Sequence, residues 1–372
     1  MLQIKEITDK KIWDSFVEAQ PNTSFLQSWS WGEFEKKLGH TLYHLGIFEN
    51  DELIGASLIA LVNSRRGTYL ESIGGPLIKL KIKSENVKVE KEVFEFWLQS
   101  VSKIAREHKV SFLRLRPPLE HSVDGIEFLK QFGFRETKLY YQAELTRRIN
   151  LTSSLEDILS NMKKKTRYEI RRTEREGVVV EKYSSESRKP SFAKASEDKQ
   201  PAYAVRKTEV DAAFTVFLDL YSDMVKRQGY VGYSKDYLRK QFDVFFNNNQ
   251  ASLYLAKHND VFVAGTIFFH YGNTTTYHHA ASLPQQHTSP QSLILWEAIK
   301  DAKARNAEWF DLFGIAPPGK RYESRMGLTF FKEGFGGEVF QWLRTHDLVY
   351  RKLPYFFSQI IELLPGRIRK LV

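Results

Sequence analysis

The sequence predicts an α/β protein of the α+β kind, built as two similar units, each a mixed central sheet flanked by helices. Asn50-Asp51-Glu52-Leu53-Ile54-Gly55-Ala56 is echoed 209 residues on (259 minus 50) by Asn259-Asp260-Val261-Phe262-Val263-Ala264-Gly265. Downstream, Trp97, Arg106 and Leu113 recur with the spacing of Trp296, Arg305 and Leu312. In both copies an apolar strand, a polar tip and a second apolar strand precede a helical stretch that leads into a further strand. Turn chemistry alone favours Asn and Asp in such tips, so the Trp-Arg-Leu spacing is what identifies an internal duplication. A cleft between the two units is the expected site.

Length and composition fit this plan. A chain of 372 residues corresponds to two or three domains, and 42% hydrophobic with 14% aromatic residues is ample for their cores. The absence of cysteine excludes disulfides, thiolate zinc sites and a cysteine nucleophile. No apolar run approaches the roughly 18 residues of a membrane-spanning helix, and Met1-Leu2-Gln3-Ile4-Lys5-Glu6 lacks the apolar core of a secretory signal. A cytoplasmic protein is expected.

Within the second copy, Asn161 to Glu176 reads NMKKKTRYEIRRTERE, seven basic residues against three acidic in a chain of formal net charge +10. Ser153 and Glu156 stand at capping-box spacing, Leu155, Ile158, Leu159, Met162, Thr166 and Ile170 recur at three- and four-residue steps, and Gly177 ends the run. The pattern predicts one amphipathic helix exposing Lys163, Lys164, Arg167 and Arg171. Such a face is either solvated surface or, with Tyr168 among the cations, a seat for nucleotide or RNA phosphates. Ser184 to Thr208 has few large apolar residues and no period, and reads as an exposed, mobile insertion. From Tyr350 to Val372, apolar residues including Leu353, Phe356, Phe357 and Ile360 alternate with Arg351, Lys352, Arg367, Arg369 and Lys370. A terminal helix packing its apolar face on the core is expected, with an anionic membrane surface as the alternative.

Several constellations are missing. His278 and His279 are adjacent, and strand neighbours point to opposite faces, so they are not expected to chelate one metal. No phosphate-binding glycine loop and no Gly-x-Ser-x-Gly elbow is present. The strand and helix pattern of each half resembles the GNAT acetyltransferase fold, yet the turn expected to cradle coenzyme A, Leu283 to Pro290, contains no glycine. The fold is kept and no cofactor is expected.

Five segments carry a more specific resemblance: SFLQSWSWGEFEKKLG (24–39), NMKKKTRYEIRR (161–172), SPQSLILWEAIKDAK (289–303), WFDLFGI (309–315) and GLTFFKEGFGG (327–337). In this order they resemble the FemABX family of aminoacyl-tRNA-dependent transferases that add amino acids to the stem peptide of peptidoglycan precursors. The resemblance implies two GNAT-like domains, 1–149 plus 344–372 and 150–343, with the chain's end returning to the first. It implies aminoacyl-tRNA and a UDP-linked or lipid-linked muramyl pentapeptide as partners; a monomer and peripheral contact with the inner membrane surface are expected. Lys332 is similar to the lysine placed near the reacting groups. Lys36, or neighbouring Lys37, is similar to a lysine on precursor phosphates, and Tyr237, Tyr277 and Phe331 are the further substrate-binding candidates. Without the resemblance, Lys332 reads as a solvent-facing lysine on a strand. The chain departs from the family at Tyr233, where an arginine is frequent, at His279, where an aromatic residue is frequent, and at Arg116, where many members have aspartate. An aminoacyl ester is already activated, so the reaction needs a neutral amine held near the carbonyl and a positive charge for the oxyanion. Asp311 and Glu333 are the candidates for a general base.

Overall fold

The computed structural model describes residues 1–21, 23–65, 67–78, 87–141, 143–185, 207–284 and 288–364, with backbone alone at 87–90 and 321. Most of the expected insertion at 184–208 lies outside the described residues. The chain forms two compact units, Met1–Glu144 with Gln341–Val372, and Leu145–Phe340.

In chain order the first unit contributes β1 (Leu2–Glu6), α1 (Lys10–Glu18), α2 (Trp29–Lys37), β2 (Thr41–Glu49), β3 (Glu52–Ser64), β4 (Gly67–Ile73), β5 (Leu77–Ile78), α3 (Val87–Glu107), β6 (Phe112–Arg116), α4 (Val123–Gln131) and β7 (Arg135–Glu136). The second contributes β8 (Leu145–Asn150), α5 (Leu155–Ser160), α6 (Lys164–Arg175), β9 (Val179–Ser184), α7 (Lys207–Gln228), α8 (Lys235–Asn247), β10 (Ala251–His258), β11 (Val261–Tyr271), β12 (Thr274–Ser282), α9 (Pro290–Ala304), β13 (Trp309–Gly314), α10 (Met326–Glu333) and β14 (Glu338–Gln341). The chain then returns to the first unit as β15 (His346–Val349) and α11 (Lys352–Leu363).

Both sheets repeat one order. The first runs β1-β2-β3-β4-β6-β15-β7, with β5 pairing β3, and the second runs β9-β10-β11-β12-β13-β8-β14. The first three junctions are antiparallel in each. The fourth, β4–β6 or β12–β13, is parallel. The repeated residues explain the repeated geometry. Asn50 and Asp51 have φ of 47° and 66°, and Asn259 and Asp260 have 49° and 63°. Two successive left-handed residues make the hairpin turn whose twist matches its strands, and Asn and Asp tolerate it better than other non-glycine residues. Trp97, Leu113 and Leu312 are wholly buried, and Trp296 packs half-buried on the second unit's core. Phe112 and Phe134 fill the first core and Phe214, Phe268 and Phe310 the second, each buried phenylalanine contributing roughly 1.5–3 kcal/mol of transfer free energy.

Two helical expectations are corrected. The stretch before Gly177 is two helices, and Ser154 rather than Ser153 caps the first, its hydroxyl accepting from the Asp157 amide at 3.1 Å. At Lys163 the backbone amide donates instead to the Gly334 carbonyl at 2.9 Å, and the Arg167 guanidinium donates to the carbonyls of Ser160, at 2.7 Å, and Met162. A long-range partner has replaced a local one. The C-terminal helix α11 is inverted with respect to the expectation, burying Ser358 and Glu362 while exposing Leu353, Phe356, Phe357, Ile360 and Leu363. The cause is Arg114 on β6, 2% exposed. Its guanidinium donates to Asp347 at 2.9 Å through two nitrogens and to Glu362 at 2.6 Å and 3.2 Å. A buried cation left unpaired costs about 3–5 kcal/mol, enough to turn the polar side of the helix inward.

Candidate active site

The site lies in the second unit, where the parallel strands β12 and β13 part. They pair only through Thr274↔Trp309, Thr275↔Phe310 and Thr276↔Asp311. Beyond that point both strands break their regular course. In β12 a bulge falls at His278, since Ile267 faces His279 and Phe268 faces Tyr277. In β13 the register shifts between Asp311 and Gly314, and Phe313 takes φ 61°, a conformation that residues with large side chains adopt rarely and mostly at functional positions.

Lys332 enters this gap from α10. It is 3% exposed, which corrects the picture of a solvent-facing strand lysine. Its Nζ donates to the Gly314 carbonyl at 2.6 Å and stands 5.6 Å from the Tyr277 ring centroid. Burial holds its pKa down to about 8, against the opposing pull of Asp311. The Asp311 carboxylate accepts from the Thr146 hydroxyl and from the Phe313 amide at 2.7 Å. Burial raises its pKa while these donors, Arg148 and Lys332 lower it. Burial also pushes the Tyr277 hydroxyl upward, keeping it protonated. Thr329 braces the same loop, its hydroxyl accepting from the Ala316 amide at 2.8 Å. Phe331, next to Lys332, packs on the core and meets Phe335 edge-on at 5.4 Å.

The duplication supplies an internal comparison. Phe128-Leu129-Lys130-Gln131 at the end of α4 parallels Phe330-Phe331-Lys332-Glu333 at the end of α10, and a Gly-Phe step follows each, one residue later in the first copy. Lys130 is exposed and pairs with Glu127 at 2.6 Å. The same helical position therefore gives a surface lysine in one unit and a buried one in the other.

Two of the sequence motifs meet at α10. Lys163 pairs with Glu333 at 3.2 Å, a Cβ on Gly336 would stand 2.8 Å from the Asn161 carbonyl, and one on Gly334 would collide with Thr166. The basic helix and the lysine helix are thus packed together. Lys164, Arg167 and Arg171 do share one face, joined by Tyr168, Glu174 and Arg175, around a depression of about 650 Å³. Lys163 turns away from it to Glu333, and Arg175 is a cation of this face that the sequence reading missed.

Tyr237, near the start of α8, stacks on Tyr233 at 4.5 Å. Tyr233 meets His279 at 5.5 Å, His279 meets His278 at 4.1 Å, and His278 meets Phe313 at 5.2 Å. A continuous row of rings therefore runs from Tyr237 to the strained residue beside Asp311. This corrects the opposite-face reading of the two histidines, because the bulge brings their rings together. Burial pushes both imidazoles below their ordinary range, so they stay neutral, and His279 Nε2 bonds Gln241 Oε1 at 2.8 Å. Lys36 and Lys37 end α2 in the first unit and are exposed. Lys36 Nζ lies 5.9 Å from the Trp29 ring, which stacks on His44 at 4.1 Å. Part of the glycine-free turn before α9, 285–287, lies outside the described residues. At the start of α9 the Ser289 amide already donates to the Thr173 hydroxyl at 2.8 Å.

Comparison with known proteins places this geometry. The FemAB family model matches residues 8–260 and 256–362. The Lipid II:glycine glycyltransferase of Staphylococcus haemolyticus is 21% identical over 417 residues, covering 96% of this chain and 94% of that protein. Its counterpart from Staphylococcus aureus is 21% identical over 414 residues with the same coverage. The crystal structure of FemX superposes with a TM-score of 0.77 at 17% identity, covering 96% of this chain and all (100%) of the other. A tandem GNAT protein from the clavulanic acid biosynthesis pathway superposes with a TM-score of 0.54 at 9% identity, covering 94% and 98%. These likenesses give the fold as tandem GNAT-like units, and with the family model spanning nearly the whole chain, the chain belongs to the FemAB family, a family of acyltransferase-type enzymes.

Proposed function

We propose that this chain moves an amino acid, glycine by analogy with its relatives, from charged tRNA to an amine on the stem peptide of a lipid-linked peptidoglycan precursor. The observation that carries the reading is Lys332, a buried ammonium aimed at the gap between two parting strands and held by a single backbone carbonyl. In the reaction the acceptor nitrogen attacks the ester carbonyl carbon. The carbonyl oxygen becomes an oxyanion, the ester C–O bond then breaks, and the terminal ribose hydroxyl of the tRNA leaves with a proton equivalent to the one the amine gives up. Lys332 stabilises the oxyanion by leaving the Gly314 carbonyl for it. Asp311, with Lys332 as its nearby cation, is the acceptor for the amine proton. The Lys164, Arg167, Arg171 and Arg175 face receives tRNA phosphates, and its packing on α10 ties that contact to Lys332. Tyr237 and Tyr277 contact the acceptor peptide, and Lys36 or Lys37 the precursor's phosphates. The protein works as a monomer at the inner membrane face; among the described residues no helix is long and apolar enough to cross a membrane.

The test is transfer of labelled glycine, alanine or serine from charged tRNA to a lipid-linked precursor and, separately, to its UDP-linked form. Label in the lipid-linked product is the expected result. Charged tRNA bound with no transfer to either acceptor would overturn the reading in favour of a non-catalytic RNA-binding protein.

A further inference from the structure

We propose that the exposed face of α11 seats the protein on an anionic lipid bilayer. Leu353, Phe356, Phe357, Ile360 and Leu363 recur at three- and four-residue steps, so at about 100° per residue they share an arc of about 120°. All five are more than two-fifths exposed, from 42% for Ile360 and Leu363 to 74% for Leu353. The opposite arc holds Tyr355, Ser358 and Glu362, committed to Asp347 and Arg114 or to the interior. The helix is therefore fastened by its polar side and offers its apolar side outward, and the fastening is specific enough that this orientation is built in.

Charge selects the occupant. The helix's one acidic side chain, Glu362, is 1% exposed and paired with Arg114, so the outward face is free of negative charge. Arg351 and Lys352 begin the helix, both exposed, and the sequence after it, Pro365 to Val372, contains Arg367, Arg369 and Lys370 with no acidic residue. An apolar strip that starts at two exposed cations, in a stretch of sequence free of accessible acid, matches the boundary between acyl chains and anionic headgroups. A second copy of the chain fits less well. A face about 18 Å long and 10 Å wide falls well short of the roughly 800 Å² per partner of a stable interface. The choice of a bilayer over another apolar partner also rests on the lipid-linked acceptor proposed above.

The experiment uses the full chain, vesicles of phosphatidylcholine with and without phosphatidylglycerol, and the variant Phe356→Ser/Phe357→Ser/Ile360→Ser. Wild type is expected to co-sediment with phosphatidylglycerol vesicles, to release as salt rises, and to bind neutral vesicles at least about tenfold more weakly. The triple variant should lose vesicle binding by about tenfold or more while unfolding at an unchanged temperature, because its altered side chains are exposed. Lys352→Glu should weaken binding in the same direction. Wild type left in the supernatant, or a triple variant that binds as well as wild type, would overturn the proposal. A wild-type dimer that the triple variant dissociates, without vesicle binding, would assign the face to a second copy. Transfer to the soluble UDP-linked acceptor, measured on the same preparations, separates the two proposals. Intact transfer without vesicle binding removes only the docking face, and vesicle binding without transfer to any acceptor removes only the proposed reaction.

Discussion

Burial that lowers the Lys332 pKa to about 8 sets the direction of a pH effect. If the ammonium stabilises the oxyanion, transfer falls as pH rises through that value, and Lys332→Arg, whose guanidinium stays charged, moves the falling limb upward. Lys332→Ala is expected to lower kcat by about 10²–10³-fold, whereas Lys130→Ala, at the matching exposed position, leaves kcat unchanged; steady-state rates on purified variants decide both. Stability moves the other way. The folded pKa lies below the ordinary lysine value, so the charged form is disfavoured in the fold, fully so below pH 8, and the penalty is relieved as pH rises from 8 toward 10.5. Lys332→Met should therefore be more stable than wild type at pH 7 by about 1–3 kcal/mol in urea unfolding, with the gap narrowing by pH 10. The motif around Lys332 could be found in the sequence, but its burial could not. Lys130 holds the corresponding place at the end of its helix, two residues after a phenylalanine, and stays in water, because what encloses Lys332 is the Gly314 carbonyl and the Tyr277 ring, brought from distant strands.

The glycines at and after the end of α10 let the chain pass close against the basic helix at Gly334 and Gly336 and against β8 at Gly337. Gly337 has φ 71°, and a Cβ there would collide with the Arg148 carbonyl on β8. Gly337→Ala should cost about 1–3 kcal/mol, read as a lowered midpoint in chemical unfolding. On the basic helix, replacing Lys164, Arg171 and Arg175 with alanine should weaken tRNA binding roughly alike for any tRNA sequence. The slope of log affinity against log salt should flatten by about 0.7–0.9 for each phosphate contact removed, measured by filter binding across a salt series. An unchanged slope would separate this face from the tRNA. The amphipathic pattern here was legible at the level of the stripe, since Thr166 and Ile170 are buried as the periodicity requires. The break at Lys163 was not, because its cause is the Gly334 carbonyl, far along the chain. The bulge at His278 escaped for a similar reason: alternation along a strand assumes an unbroken ladder, and one extra residue moves a side chain to the other face.

The duplicated plan was readable from seven-residue tips and three spaced residues because turn chemistry and core burial are local demands that both copies must meet. The orientation of α11 was not, since one buried arginine outweighs five apolar side chains only once β6, β15 and the helix have come together. The place of β15 in its sheet sets the order in which the chain can fold as it is made. β15 lies between β6 and β7, so the first sheet has a missing middle strand until residues 346–349 have left the ribosome. The second unit, Leu145–Phe340, has all its strands by then. Although synthesised later, it can close first, with the earlier residues waiting for their last strand. A chain stopped after Leu343 should accordingly yield a protease-resistant fragment covering the second unit and a first unit that is digested, with mass spectrometry of the surviving peptide as the readout. Nascent chains of increasing length would show the amino-terminal half becoming resistant last, and a chaperone that shields exposed strand edges would find its client in the portion of this protein translated first.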